Sequence, residues 1–490
     1  IAELEVISVA STSAVAAIHG RTADLKQGEW AYLSPADTAR ADAQRLVSST
    51  REHLPPPQLE DGEPVNRFTA SSGISSPLAT HVAGRIGFDY SGIRSHGSTP
   101  GWSSQVGMMF RSDINHILGT HWNLQGYWRG RITKNSQPRE DTLQDTLNKT
   151  YTMQLSYDNP DSNWLAGFGR LYLPWATSLD VIDGGYVGHR LRKNVIAGAF
   201  VGSTPDPASW HYAPDHQIGG AFVNYEGGSY EGLHYSSTAG AALNMIKWQV
   251  DRPYAFFENE VSFKRSISVY HSLIIDAPQG ISTNGIRPGM GVSRSYLTLH
   301  YQPFQRVSFD VYHNYFRDVP TASTQLVGTG LVDKLLYQGV NFGVRVEPIR
   351  HVFLYSTIGR SDKTGDTHRS LNQMYGITWD ENRYTGIRAD FRYSKFDSSF
   401  GRGDYKMLSL SRHLGDKMMW DMQIGSQNLD SPFTANNKAF FVSSSFDYNL
   451  TSNMYLQSGY TTEHGSQLNY DQWYLSLGYR FGVKSAPEVK

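Results

Sequence analysis

Three stretches hold side chains of the kinds that do chemistry. "HYAPDH" places His211, Asp215 and His216 within one short run, and all three are metal-ligand types. A metal needs its ligands fixed on a helix or strand, and this Pro-containing polar stretch supplies neither, so no metal centre is expected. "SVYHSL" and "LSLSRHL" set serines beside His271 and His413. A nucleophilic serine needs its base within hydrogen-bond reach and an orienting polar group behind it. With 17 His in a serine-rich chain such neighbours arise without a site, and no catalytic residue is expected. "GRGD" at 401 to 404 contains an adhesion tripeptide, which makes a surface adhesin platform one alternative function. The chain has 0 Cys, which excludes disulfides, thiolate metal sites and Cys-linked haem, and no cofactor of its own is expected.

The more extensive set is charged and lies in stretches that alternate. In "YTGIRADFRYS", Arg388, Asp390 and Arg392 oppose Ile387, Ala389, Phe391 and Tyr393. "VNFGVRV" sets Arg345 against Val344 and Val346, "VAGRIGFDY" sets Arg85 and Asp89 against Ile86 and Phe88, and "FFVSSSFDY" sets Asp447 against Phe446 and Tyr448. Glu258, Glu260, Asp421 and Arg480 follow the same rule in their own stretches. Period-two alternation is the mark of strands with one apolar and one polar face.

These residues therefore need a sheet. From about His81 to Phe481 the chain reads as about 22 extended segments. Short connections such as "DNPDS", "QPFQ", "EPIR" and "HLGDK" alternate strictly with long ones such as residues 276 to 292 and 317 to 333. No apolar run approaches the roughly 20 residues that a membrane helix requires. A single closed sheet of this size cannot fill its middle with its own side chains, so the apolar face points outward to lipid and the charged face lines a lumen. The fold expected is all-β: a large up-and-down transmembrane antiparallel barrel over residues 78 to 482. A β-propeller would show a four-stranded repeat, and none is present.

Residues 1 to 52 read differently. "LEVISVA", "AVAAIHG" and "GEWAYLS" suggest three short strands, and "SPADTARADAQRLVSSTREHL" suggests a helix capped by Ser34 with Pro35 at its first position. This is a small α+β module, joined by a Pro/Ser/Gly-rich linker, residues 53 to 77. A disordered tail, residues 483 to 490, ends the chain. With 45 acidic and 44 basic residues the chain has no charge suited to nucleic acid.

The last strand carries Trp473, Leu475, Leu477, Tyr479 and Phe481 on one face. It resembles the terminal strand of bacterial outer-membrane β-barrel proteins, which the barrel-assembly machinery reads, although here the aromatic is followed by "GVKSAPEVK". The resemblance implies a bacterial outer-membrane location, lipid contact and a periplasmic place for the N-terminal module. It also implies a porin-like pore, narrowed by residues 276 to 292 and 317 to 333 folding inward. The chain is similar as well to the porin components of porin-cytochrome electron conduits, which are large and plugless, and that likeness implies a multihaem cytochrome as a partner inserted in the lumen.

Overall fold

The computed structural model describes residues 3–9, 14–19 and most of 80–482, apart from 98–99, 137–145, 207–208, 265, 278–288, 318–335, 381–385, 400, 432–433 and 467–468. β1 (Glu3–Val9) and β2 (Ala14–His19) form an antiparallel hairpin, matching the first two strands expected near the N-terminus. The third of those strands, the helix, the linker and the tail fall outside the described residues.

From His81 the chain forms one closed antiparallel barrel of 22 strands. The first eight are β3 (His81–Ser95), β4 (Gly101–Asn115), β5 (Trp122–Asn135), β6 (Thr146–Asp158), β7 (Trp164–Leu171), β8 (Ile182–Arg192), β9 (Val195–Ser203) and β10 (His216–Gly228). Then come β11 (Leu233–Ile246), β12 (Gln249–Phe263), β13 (Ile267–Asp276), β14 (Gly291–Phe304), β15 (Val307–Arg317), β16 (Leu336–Ile349) and β17 (Val352–Lys363). The last seven are β18 (Ser370–Trp379), β19 (Ile387–Ser398), β20 (Gly401–Leu414), β21 (Met418–Ser431), β22 (Thr434–Asn449), β23 (Met454–Gly465) and β24 (Asn469–Phe481). Each pairs with its sequence neighbours, and β24 closes on β3.

Connections that follow even-numbered strands share one rim with both barrel ends, and all are short, the longest being 380–386. The opposite rim carries the long connections 136–145, 172–181, 204–215, 277–290 and 318–335. The alternation is not strict, because 247–248, 399–400 and 432–433 on that same rim are connections of only two residues. Lys247 and Trp248 turn with φ of 50° and 64°. Two successive positive φ values are what a two-residue hairpin matched to strand twist needs, and here no Asn-Gly signal announces it.

One parity class of side chains faces the bore and the other faces out. The outward class holds most of the exposed large apolar residues, among them Phe88, Phe168, Phe342, Phe391, Phe440 and Leu475. The seam is built from the same class. Phe481 pairs with Gly84 and lies over it so closely that a Cβ there would come within 2.3 Å of the ring, and Trp473 covers Gly92 in the same way. Phe481 also stacks on Phe110 at 6.4 Å, so one aromatic ties together β24, β3 and β4.

Candidate functional site

The bore does not have a uniformly charged lining. On β8 to β13 its face is apolar: Tyr186, Phe200, Phe222, Tyr254, Phe256 and Ile274 are all buried. This corrects the expectation that every apolar face points outward. Such a wall would be costly against water, at roughly 1.5–3 kcal/mol for each large side chain left exposed. It is covered by the connection between β7 and β8, residues 172–181, which turns into the bore and adds Leu173, Trp175, Ala176 and Leu179 to the same buried cluster.

The segment is held at two points. Trp175 stacks on Phe222 at 5.1 Å and meets Tyr186 edge-on at 5.6 Å. Beyond it, the Glu258 carboxylate accepts from the Thr177 hydroxyl at 2.9 Å and from the Ser178 backbone N–H. Thr177 also reaches the Tyr270 hydroxyl at 3.2 Å. Glu258 is itself buried, so these donors satisfy a carboxylate that would otherwise be stranded. At the long-loop end of the same wall, Arg252 forks onto Asp276, which is fully buried, with Nη2 at 2.9 Å from Oδ2.

A second connection on this rim, 204–215, meets the wall at β6 and β7. β7 is short, and its partner β6 runs on past it to Thr146. Arg170 fills the gap, pairing with Asp183 at 2.6 Å and donating to the Thr150 and Trp210 carbonyls at 2.8 and 2.9 Å. Trp210 donates through Nε1 to the same Thr150 carbonyl at 3.0 Å. Side chains thus satisfy the Thr150 carbonyl, where β6 has no strand partner on its β7 side.

The pairing register places all the other charges singled out above on the inner face. Asp89 accepts from Ser476 at 2.6 Å across the seam, and Arg85 is in register with Arg480. The Arg480 guanidinium lies over the Tyr455 ring at 4.5 Å. Arg345 covers Phe353 at 4.2 Å. On β19, Asp390 accepts from Tyr355 and Thr378, the latter at 2.6 Å, while Arg392 reaches the Tyr355 hydroxyl at 3.4 Å and Arg388 lies 3.8 Å from Asp380. Asp421 and Asp447 face inward on the neighbouring strands β21 and β22, and Glu260 lies two residues from Glu258 on β12. They form separate groups around the wall, with no single centre. Trp473, Leu475, Leu477, Tyr479 and Phe481 take the outward face of β24.

His271 and Ser272 of "SVYHSL" point to opposite sides of β13, so they are not a dyad. His211 and Asp215 lie on the 204–215 connection and His216 opens β10, and no group of three or more potential metal ligands occurs among the described residues. Of residues 276–292 and 317–333, expected to narrow the bore, 278–288 and 318–333 fall outside the described residues. Sequence reasoning missed 172–181. Its signal was present in "NVIAGAFVG" and "YAFF", which are apolar on both faces and hence need cover on both.

No protein-family model and no curated protein matches the sequence. Solved structures with a similar layout include the translocation pore of the P pilus usher PapC, at 10% identity and TM-score 0.49, covering 82% of this chain and 100% of that one. OpdQ of Pseudomonas aeruginosa matches at 9% identity and TM-score 0.42, over 82% of this chain and 98% of its own. The ferric enterobactin receptor PfeA of the same organism matches at 10% and 0.47, over 81% of each chain. At these identities the likeness is one of layout.

Proposed function

We propose that the chain is a pore of the bacterial outer membrane, with residues 172–181 as its inner constriction. The observation that carries this is the parity of the closed sheet: large apolar side chains outside, and on most of the wall polar and charged ones inside. In a bilayer the backbone polar groups of a barrel are all satisfied by the ladder, and only the outward side chains meet lipid. The constriction favours a solute pore over a sheath for a multihaem cytochrome, because it already covers the apolar wall that an inserted chain would contact. The rim of short turns, which carries both barrel ends, is the periplasmic one. The α+β module of residues 1–52 then stands on the periplasmic side.

Membrane fractionation of the full chain and of a chain lacking residues 1–76 tests both statements. Both are expected in the outer-membrane fraction, extracted only by detergent and shifting in gel mobility on boiling. Full-chain solubility without detergent would contradict the membrane pore. Failure of the shortened chain alone to insert would contradict a separate periplasmic module.

A further inference from the structure

Among the described residues, a cluster of bases lies on the wall from β24 to β6. Arg480, Arg85 and Arg111 occupy one continuous row on β24, β3 and β4, since Arg85 is the register partner of both the others. Like charges directly opposed across strands destabilise a sheet, and here two such pairs are consecutive. The bases then climb towards the long-loop rim. Arg129 is in register with Met109 and Lys149, one inward position above the row, and Arg131 is in register with Gly107, one position higher again. Successive inward positions lie about 7 Å apart along a strand, close enough for an anion to pass from one guanidinium to the next.

The neighbouring inward positions are Gly87, Gly107 and Gly478; the Tyr455 ring and Met109 lie over Gly478 and Gly87, while Gly107 leaves the wall open beside Arg131. The acids on this wall are Asp89, already bonded to Ser476, Asp113, whose carboxylate is 3.9 Å from Arg111, and Asp158 at the short-turn end of β6, which is paired with Arg190 of β8. Three carboxylates against six bases, one of the three neutralised by Arg190, leave the wall positive. The opposite charge gathers elsewhere: Glu226, Glu258 and Glu260 face inward on β10 and β12.

Resting on the pore reading above, we infer that the wall from β24 to β6 is a binding lane for small solutes bearing carboxylate or phosphate groups. An oxyanion placed between Arg480, Arg85 and Arg111 removes the like-charge repulsion of the row and is held by planar, forked donors suited to its geometry. The arginines further up pass it towards the other rim.

The test is the zero-current potential of the purified full chain in planar bilayers under a potassium chloride gradient, repeated with potassium succinate and potassium phosphate as added probes. Wild type is expected to prefer anions, and each probe to reduce the chloride current by occupying the lane. Arg85→Glu with Arg111→Glu is expected to lower the anion-to-cation permeability ratio by about tenfold or more. Arg388→Glu, on a wall where Asp380 and Asp421 already offset it, is expected to change the ratio less. Arg85→Gln with Arg111→Gln guards against misfolding of the reversed variant and is expected to fall between it and wild type. Conductance with no anion preference, or a preference untouched by both double variants, would overturn the lane while leaving the pore standing. Block by one probe alone assigns the lane to that oxyanion. Absence of any conductance would overturn the pore reading itself.

Discussion

Trp175→Ala combined with Glu258→Ala is expected to release residues 172–181 from the wall and give larger, noisier single-channel currents than wild type. Truncating a buried tryptophan costs about 3–5 kcal/mol, and here the loss falls on the stack with Phe222 and the edge contact with Tyr186. Each hydrogen bond to a charged group contributes about 1.5–3 kcal/mol, and Glu258 accepts two from the segment. The contributions share one docking event and do not simply add. Each residue freed on detaching regains about 1–2 kcal/mol of backbone entropy, so the docked state depends on these anchors and losing both tips the balance towards release. Leu173 and Leu179 remain as apolar anchors, so the segment is expected to flicker on and off the wall. Protease should then cut within 172–181 in the variant and spare it in wild type. Currents and cleavage identical to wild type would mean that the segment does not limit the bore.

Phe481→Ser with Tyr479→Ser is expected to reduce the amount of folded barrel severalfold at equal expression, read as the heat-modifiable band on a gel. The cause is partly local packing. Phe481 occupies the space over Gly84 and stacks on Phe110, and these contacts close β24 onto the first strand of the barrel. Burial of one such ring contributes about 1.5–3 kcal/mol, and the seam is the one strand pair that no hairpin joins. Arg412→Ser, outward near the short-turn end of β20 and remote from the seam, serves as the control and should fold normally. Equal band intensity in all three would remove the last strand from any special role in assembly.

The strand content and the up-and-down order were legible because period-two alternation is a direct consequence of a sheet with two unlike faces. "VNFGVRV" on β16 and "ADFRYS" on β19 show it without ambiguity. The terminal strand was legible for the same reason. The constriction was not, because "YLPWATSLDV" is an irregular segment whose side chains follow no period. Only the two-sided apolar character of β9 and β12 hinted that something covers the inside. The arginine row was half legible. Arg85 and Arg480 stood out on their own strands, but Arg111, Arg129 and Arg131 matter through register, and register across the seam joins residues nearly four hundred positions apart. No alternation pattern carries that information.

Single-channel recording of the purified full chain in planar lipid bilayers tests the central claim most directly. A closed barrel whose bore is narrowed by a docked segment, with polar wall left around it, predicts discrete upward current steps on insertion and a steady open current proportional to voltage. A chain that inserts, shows the circular dichroism of a folded β-barrel and passes no current would contradict it.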